Sequence, residues 1–356
     1  MRIVGIETSC DETAIGVVED GRKVLSNAVA SSLKLHAPYG GVIPEIAARV
    51  HAETIWQVLS QALDEAGLAP DGLDAIAVTQ GPGLPGALLI GLAFAKGLAL
   101  SLNRPLIPVD HLAAHLYAGE MTDLTLEPPY VGLVVSGGHT LLCVVHADCR
   151  YEILGETKDD AVGEAFDKVA KLLGLGYPGG PAIDQLSDEG HVTKDLFPRV
   201  HTKGAFDFSF SGLKTAVYQY VQKYTDGSRL KAQGSRQETE RLEPSASSLE
   251  PDRQRIADIA ASFQETAVDL LVTKTLRACQ RTGVHRVVVG GGVAANRRLR
   301  ARLAEEGAAK KLHVVFPPPA LCLDNGAMVA GMGYPLLQRG RVAALSLTTD
   351  PNLCLA

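Results

Sequence analysis

The chain has 356 residues, 46% of them hydrophobic and 21% charged, a composition that excludes a disordered chain or a coiled coil. At roughly 150 residues per domain, that length predicts two domains, large enough to fold without disulfides or a structural metal. Lys plus Arg number 34 against 40 Asp plus Glu, a formal net charge of −6, which excludes a protein coated in basic charge for gripping nucleic acid unaided.

The first segment, from Arg2 to Val18, reads strand, turn, strand: RIVGIE, TSCDE, TAIGVV. A third strand, Lys23 to Ala28, follows the turn at Asp20-Gly21. Pro44 opens a helix at its favoured first position; Ile46, Val50, Ile55, Leu59 and Leu63 mark its apolar face, and Gly67 ends it. DAIAVT (Asp74 to Thr79) predicts a buried strand leading into the turn-rich GPGLPG, and a small-residue helix, ALLIGLAFAKGLALSL, follows. That stretch, Ala87 to Leu102, is the longest apolar run; it contains two glycines and Lys96 and is shorter than a membrane span. LIPV predicts another strand, after which Asp110 caps the helix HLAAHLYAG.

Near residue 130 the opening pattern returns: YVGLVV, SGGH, TLLCVV, a turn at His146 to Asp148, then RYEILG. Two such β-β-β openings, each followed by helices and parallel-type strands, predict a duplicated α/β domain with a cleft between two lobes. In the second half, Val162, Phe166, Val169, Ala170 and Leu173 mark a helix closed by GLGYPGGP. The polar, Ser-rich segment from Asp226 to Asp252 reads as a solvent-exposed loop. A long helix from about Arg253 to Thr282, the strand RVVVG, a helix opened by GGVAAN, the strand LHVVF and a last helix capped by Asp324 complete the chain. The six cysteines (Cys10, Cys143, Cys149, Cys279, Cys322, Cys354) form no CxxC, and several sit in apolar runs as small core residues. MRIVGIETSC has neither an extended apolar core nor a cleavage site, so the expected location is the reducing cytoplasm, with no membrane association.

His111 and His115 stand four apart on one predicted helix, so both imidazoles leave the same face at the spacing that collects two nitrogen ligands for a divalent metal. A pair of histidines at a helix start, one exposed and one in the core, has the same spacing. Leu112, Ala113 and Ala114 lie between them, so the glutamate of a metallopeptidase HExxH is missing. Asp324, in LCLDNGAM, is the candidate third ligand, with helix capping as its plainer role. Three turns follow strands: Thr8-Ser9-Cys10-Asp11, Ser136-Gly137-Gly138-His139-Thr140 and Gly290-Gly291-Gly292. Backbone N–H groups at such turns make seats for phosphate oxygens, and together they suggest a nucleotide site split between lobes, although none is a Walker A or GxGxxG motif. Asp11, Glu12, Asp167 and Asp184 are carboxylates positioned to accept from ribose hydroxyls or a substrate ammonium, or else are helix-surface charge. The basic run NRRLRARL (Asn296 to Leu303) reads as a solvated helix face, or, beside a cleft, as a phosphate contact.

GIETSCDETA, GGVIPEIAARVH, QGPGLPGAL, DHLAAH, VSGGHT, GEAFDKVAKLLGLGYPGGPAID, FSFSGLKTA, GGGVAANRRLR and LDNGAM occur in this order from the first residues to the last helix. This succession closely resembles the TsaD family, formerly called Gcp or YgjD. The resemblance implies the ASKHA fold of actin, Hsp70 and sugar kinases, with two ribonuclease-H-like lobes: residues 1–127, residues 128–323, and a C-terminal helix and tail, 324–356, returning to the first lobe. It implies transfer of a threonylcarbamoyl group from threonylcarbamoyl-adenylate to the N6 amine of the adenosine 3′ of the anticodon in tRNAs reading codons that begin with A. The metal ligands it implies are His111, His115 and Asp324, holding one divalent ion, Fe2+ or Zn2+, between which this ligand set does not choose. Substrate positions fall on Val135, Ser136, Gly137, Gly138, His139, Asp167, Gly180, Asp184 and Asn296, while Asp11 and Glu12 are the candidates for positioning or proton handling.

The partners implied are tRNA, a TsaB-like paralogue docking through the helix after Gly81–Gly86, and a TsaE-like ATPase; TsaC-type enzymes would supply the adenylate, and a homodimer is compatible with the sequence. Three other readings fare worse on the residues themselves. A Mg2+-dependent ATPase or kinase has no use for the histidine pair, an endopeptidase lacks its glutamate, and a nucleotide-binding scaffold has no need of the triad. With a net charge of −6, the positive surface for tRNA is expected to be local or supplied by partners.

Overall fold

The computed structural model describes residues 1–199, 202–234 and 250–355. Strands β1 (Arg2–Glu7), β2 (Glu12–Glu19) and β3 (Lys23–Ser31) form an antiparallel meander, and β4 (Ala75–Gly81) and β5 (Leu106–Asp110) extend it in parallel from β1. The sheet order is β3-β2-β1-β4-β5. The second sheet repeats it: β6 (Tyr130–Val135), β7 (Thr140–Val145) and β8 (Tyr151–Glu156) form the meander, and β9 (Arg286–Gly290) and β10 (His313–Val315) add in parallel, giving β10-β9-β6-β7-β8. This is the duplication expected from the two meanders, now with identical strand order.

Helices α1 (Leu33–His36), α2 (Pro44–Ala66), α3 (Pro85–Leu102) and α4 (His111–Thr122) follow the first meander. The second is followed by α5 (Val162–Leu172), α6 (Gly179–Leu186), α7 (Ser211–Gly234), α8 (Glu250–Thr282), α9 (Arg297–Ala309), α10 (Pro319–Cys322) and α11 (Gly326–Gln338). In α2, Ala47, His51, Ile55, Val58, Leu59, Ala62 and Leu63 make the buried stripe, and Gly67 ends the helix in the left-handed conformation at φ 64°. α3 is apolar apart from Lys96 and by length and composition could cross a bilayer, yet it buries Ala87 and Leu88 and sets Leu92, Ala95 and Ala99 in the first-lobe core with α2.

The two lobes exchange their last helices. α4 leaves the first sheet and packs on β6 and β9 of the second, whereas α11 leaves the second sheet and packs on β1 and β2 of the first. The two helices meet each other in a shared apolar layer that includes Leu112, Leu116, Met328 and Met332. That layer explains why the central strands are buried on both faces and read as continuous apolar runs. α11 can lie so close only because its seat has no side chains: a Cβ on Gly16 would sit 2.5 Å from the Ala327 nitrogen, and one on Gly5 would strike the backbone of Ala330 and Gly326. Beyond α11 the chain returns along the first sheet, with the Ala343 amide donating to Leu106 O (2.8 Å) and the Asp350 amide to Gln80 O (3.0 Å).

Three local expectations are corrected. The GLGYPGGP segment does not only close α5; Gly179 and Gly180 begin α6, with Pro181 in its first turn, where no N–H is required. The polar segment 226–252 is helical at both ends, because α7 continues to Gly234 and α8 starts at Glu250; residues 235–249 lie outside the described residues. Leu213 and Val217 anchor α7 in the second-lobe core, and the Lys, Arg, Leu, Ala and Gln residues that follow are good helix formers, which outweighs their lack of apolar periodicity. Finally, Asn325 rather than Asp324 caps α11, its side-chain oxygen accepting from the Met328 amide at 2.9 Å. That leaves the Asp324 carboxylate free for other work.

Candidate functional site

The exchange of helices brings the start of α4 and the start of α11 together between the lobes. Asp110 caps α4 as expected, accepting from the Leu112 and Ala113 amides at 2.8 and 2.9 Å. This fixes the first turn and sets His111 and His115 on one face, with ring centroids 4.6 Å apart. Asp324, freed from capping, points one oxygen at both: its Oδ1 lies 3.1 Å from His115 Nε2 and 3.6 Å from His111 Nε2. One ligand atom from each of the three residues falls within 4.8 Å of the others.

The far side of His111 is held by a residue that sequence reasoning passed over. Glu7, fully buried at the end of β1, lies 2.9 Å from His111 Nδ1 through Oε2. The same oxygen accepts from Thr79 Oγ1 at 2.7 Å, and Oε1 accepts from the Ser9 amide at 2.5 Å. Its signal was present in the sequence: IVGIE is an apolar strand that ends in a carboxylate. A carboxylate on the outer imidazole nitrogen fixes the tautomer and leaves Nε2 for a metal.

Electrostatics follow from burial and proximity. Burial opposes a charge on His111, but Glu7 and Asp324 overcome it and raise the imidazole to about 9. Burial and the adjacent His111 push His115 down. Burial likewise opposes ionisation of Asp324, yet the two histidines hold it near 2. The cradle therefore favours a positive charge at its centre. Two imidazoles and a carboxylate, converging and already oriented, are the donor set that Fe2+ or Zn2+ takes, so the residues present fit a divalent ion.

Asp11, Glu12 and His139 lie against this centre, and the other predicted residues form separate local groups. Asp11 and Glu12 flank it from the β1–β2 turn; burial and the charges of Asp324 and Asp11 push Glu12 up to about 9. In the β6–β7 turn, the Ser136 amide donates to His139 O at 2.8 Å and the His139 amide to Ser136 Oγ at 3.0 Å. That closes a tight loop directly after Val135, the last residue of β6. Gly137 and Gly138 are exposed, with nothing within 4 Å of where their Cβ atoms would be. His139, lowered to about 4 by burial and by repulsion from His111 and His115, is a neutral imidazole beside the triad. Asp167 accepts from the Gly179 amide at 2.7 Å and so ties α5 to the first turn of α6; space beside Gly180 is open.

Asn296 and Asp184 are joined at 3.3 Å, and Asn296 also donates to Gln264 Oε1 at 2.7 Å while capping α9. The basic run beside them is not a phosphate seat. Arg297 pairs with Asp184 and Asp188 at 2.7 Å each, Arg298 with Glu265 at 2.6 Å, and Arg302 with Glu265, Asp269 and Glu306. Arg300 spends its guanidinium on the carbonyls of Ala294 and Pro317.

The family profile of TsaD, described as tRNA N6-adenosine threonylcarbamoyltransferase, matches residues 23–331. The chain belongs to the TsaD family. Relatives with that same description are 45% identical in Clostridium novyi, covering 100% of this chain and 98% of the relative, and 48% identical in Symbiobacterium thermophilum, covering 99% and 96%. Among solved structures, full-length HypF aligns with a TM-score of 0.59 at 16% identity over 95% of this chain, which spans 46% of the HypF chain. The (R)-2-hydroxyglutaryl-CoA dehydratase component A of Acidaminococcus fermentans aligns with a TM-score of 0.51 at 15% identity, covering 93% of this chain and 96% of that one. These likenesses extend the two-lobed ASKHA fold to the family member described here.

Proposed function

We propose that this chain transfers the threonylcarbamoyl group of threonylcarbamoyl-adenylate to the N6 amine of the adenosine 3′ of the anticodon, in tRNAs that read codons beginning with A. Membership of the family, which carries the transferase and its tRNA substrate, rests on the match over most of the chain. The single structural observation that carries the chemistry is the convergence of His111, His115 and Asp324 at the junction of the two exchanged helices.

In this reading the amine nitrogen attacks the carbamoyl carbon, the C–O bond to the adenylate phosphate breaks, AMP departs, and the amine proton is released. His111, His115 and Asp324 hold the ion, and Glu7 fixes the orientation of His111. When bound, a divalent ion supplies Lewis-acid polarisation and a template for oxygen atoms of the threonylcarbamoyl group. The amides of Gly137 and Gly138 and the open space beside them receive the phosphate or the developing oxyanion. Asp167, Gly180, Asp184 and Asn296 line the adenosine end, with Asp184 held in place by Arg297. Asp11 and Glu12 border the reacting atoms and hold or take the proton. An anticodon loop is already unpaired, so its adenine reaches the cleft without melting a duplex.

In this reading the lobes are residues 1–127 and 128–323, with the helix and tail of 324–356 packing back on the first. A TsaB-like partner docks on the face of α2 and α3, where Trp56, Leu89 and Leu100 are 65%, 58% and 69% exposed. A TsaE-like ATPase completes the assembly in the cytoplasm. The test is nucleoside analysis of unmodified tRNA after incubation with the purified chain, threonylcarbamoyl-adenylate and the candidate partners, each omitted in turn. The modified nucleoside should appear only when the chain, the adenylate and tRNA are all present; its formation without the chain would overturn the reading.

A further inference from the structure

The cleft presents a problem for an RNA substrate. Its floor carries Asp11, Glu12, Asp167 and Asp324, and the nearest arginine run is consumed by ion pairs and carbonyls. A polyanion must therefore find its cations on the rim.

The segment between β3 and α2 supplies that rim. It starts at the acidic floor: Ser31 Oγ donates to Glu12 Oε1 at 3.1 Å and Ser32 Oγ to Asp11 O at 2.7 Å. His36, fully buried, staples it, with Nε2 2.9 Å from Ser32 Oγ and Nδ1 accepting from the Ile43 amide at 3.2 Å. At its far end Gly40 reaches the other lobe, the Lys171 Nζ lying 3.3 Å from where a Gly40 Cβ would be. The arm therefore bridges both lobes beside Asp11 and Glu12 and is fixed at each end. On it Tyr39 is 59% exposed, an aromatic ring held outward by a fixed backbone. On the same arm Lys34 is exposed, and the exposed Lys171 stands beside Gly40; neither has an ion pair or side-chain hydrogen bond among the described residues.

We propose that residues 32–43 form the platform for the single-stranded anticodon loop, with Tyr39 stacking on an unpaired base and Lys34 and Lys171 holding its phosphates. An exposed aromatic among unpaired cations is the chemistry that recognises single-stranded RNA: every base has a π-face, and every linkage a negative charge. The inference rests on the tRNA reading above and names where that substrate sits.

The test uses the full chain with its partners, unmodified tRNA and threonylcarbamoyl-adenylate. Tyr39→Ala should raise the KM for tRNA about 10-fold without changing that for the adenylate, and Tyr39→Phe, which keeps the ring, should restore it. Lys34→Ala and Lys171→Ala should each lower the slope of log affinity against log salt by about 0.7, the loss of one phosphate contact to a single strand. Lys310→Ala, before β10 at the opposite end of the second sheet, should leave both unchanged. An unchanged KM for tRNA in Tyr39→Ala, an equal loss in Tyr39→Phe, or a salt effect of Lys310→Ala matching that of Lys34→Ala would overturn the platform while leaving the transferase reading intact. Failure of the wild-type chain to modify tRNA would overturn both.

Discussion

The β1–β2 turn of the first lobe and the β6–β7 turn of the second occupy the same place in the duplicated topology, yet they do opposite things. In the first, Glu7, Thr8 and Ser9 are buried and bonded to protein: Thr8 Oγ1 donates to Ala87 O at 3.0 Å, and the Leu84 amide donates to Ser9 O at 2.8 Å. In the second, Gly137 and Gly138 face open space behind a loop closed on itself. The duplicated topology holds two equivalent strand-turn-strand units; one is filled with side chains that brace His111, and the other is open at its two glycines. The duplicated turns thus divide into one packed with side chains and one left open.

The glycines at the middle of β1 and β6 test that division most severely. Gly5→Ala pushes a methyl group into the backbone of α11, which cannot turn aside, and should cost about 3 kcal/mol or more of unfolding free energy. Gly132→Ala meets the Leu116 side chain at 2.9 Å, which can rotate, and should cost about 1–2 kcal/mol by the same denaturant titration. Equal costs would mean that the two exchanged helices are seated alike. Next in size, Gly138→Val should raise the KM for threonylcarbamoyl-adenylate about 100-fold, with no change in melting temperature, because it fills substrate space rather than protein space. A melting temperature lowered with KM intact would assign that turn to structure. Glu7→Gln should weaken metal affinity about 10–100-fold in a chelator competition while leaving the ligands in place. The smallest effect lies in the second lobe's ion-pair lattice. Arg298, and then Arg302, hold Glu265 below the ordinary carboxyl range against a desolvation that opposes them. Its contribution is therefore present at neutral pH and lost as pH falls through its lowered value. Glu265→Gln should be less stable than wild type by about 1 kcal/mol at most near neutrality, with the difference vanishing in acid.

Much of this was legible in the chain. Both meanders show because their strands alternate with turn residues of fixed type, and the helix from Pro44 to Gly67 carries its own start and stop signals. His111 and His115 were visible as a pair, since a four-residue spacing is local information. What joins them was not visible. Glu7 becomes a partner of His111 only because β1 and β5 flank β4, and Asp324 reaches His115 only because the neighbouring Asn325 takes over the cap. The arginine run looked available for the same reason: Glu265 and Asp269 lie on α8, more than thirty residues away, and no periodicity within α9 announces them. The exchange of α4 and α11 between lobes is likewise a tertiary fact, written in glycines whose purpose appears only when the partner helix is in place.

The central claim is that the junction of the exchanged helices holds the ion on which transfer depends. It is tested by measuring, on one preparation of His115→Ala, metal per chain by elemental analysis and modified adenosine per tRNA from presynthesised threonylcarbamoyl-adenylate. The account predicts that bound metal and transfer are lost together, with the fold retained by circular dichroism. Full transfer by a metal-free His115→Ala chain would contradict it.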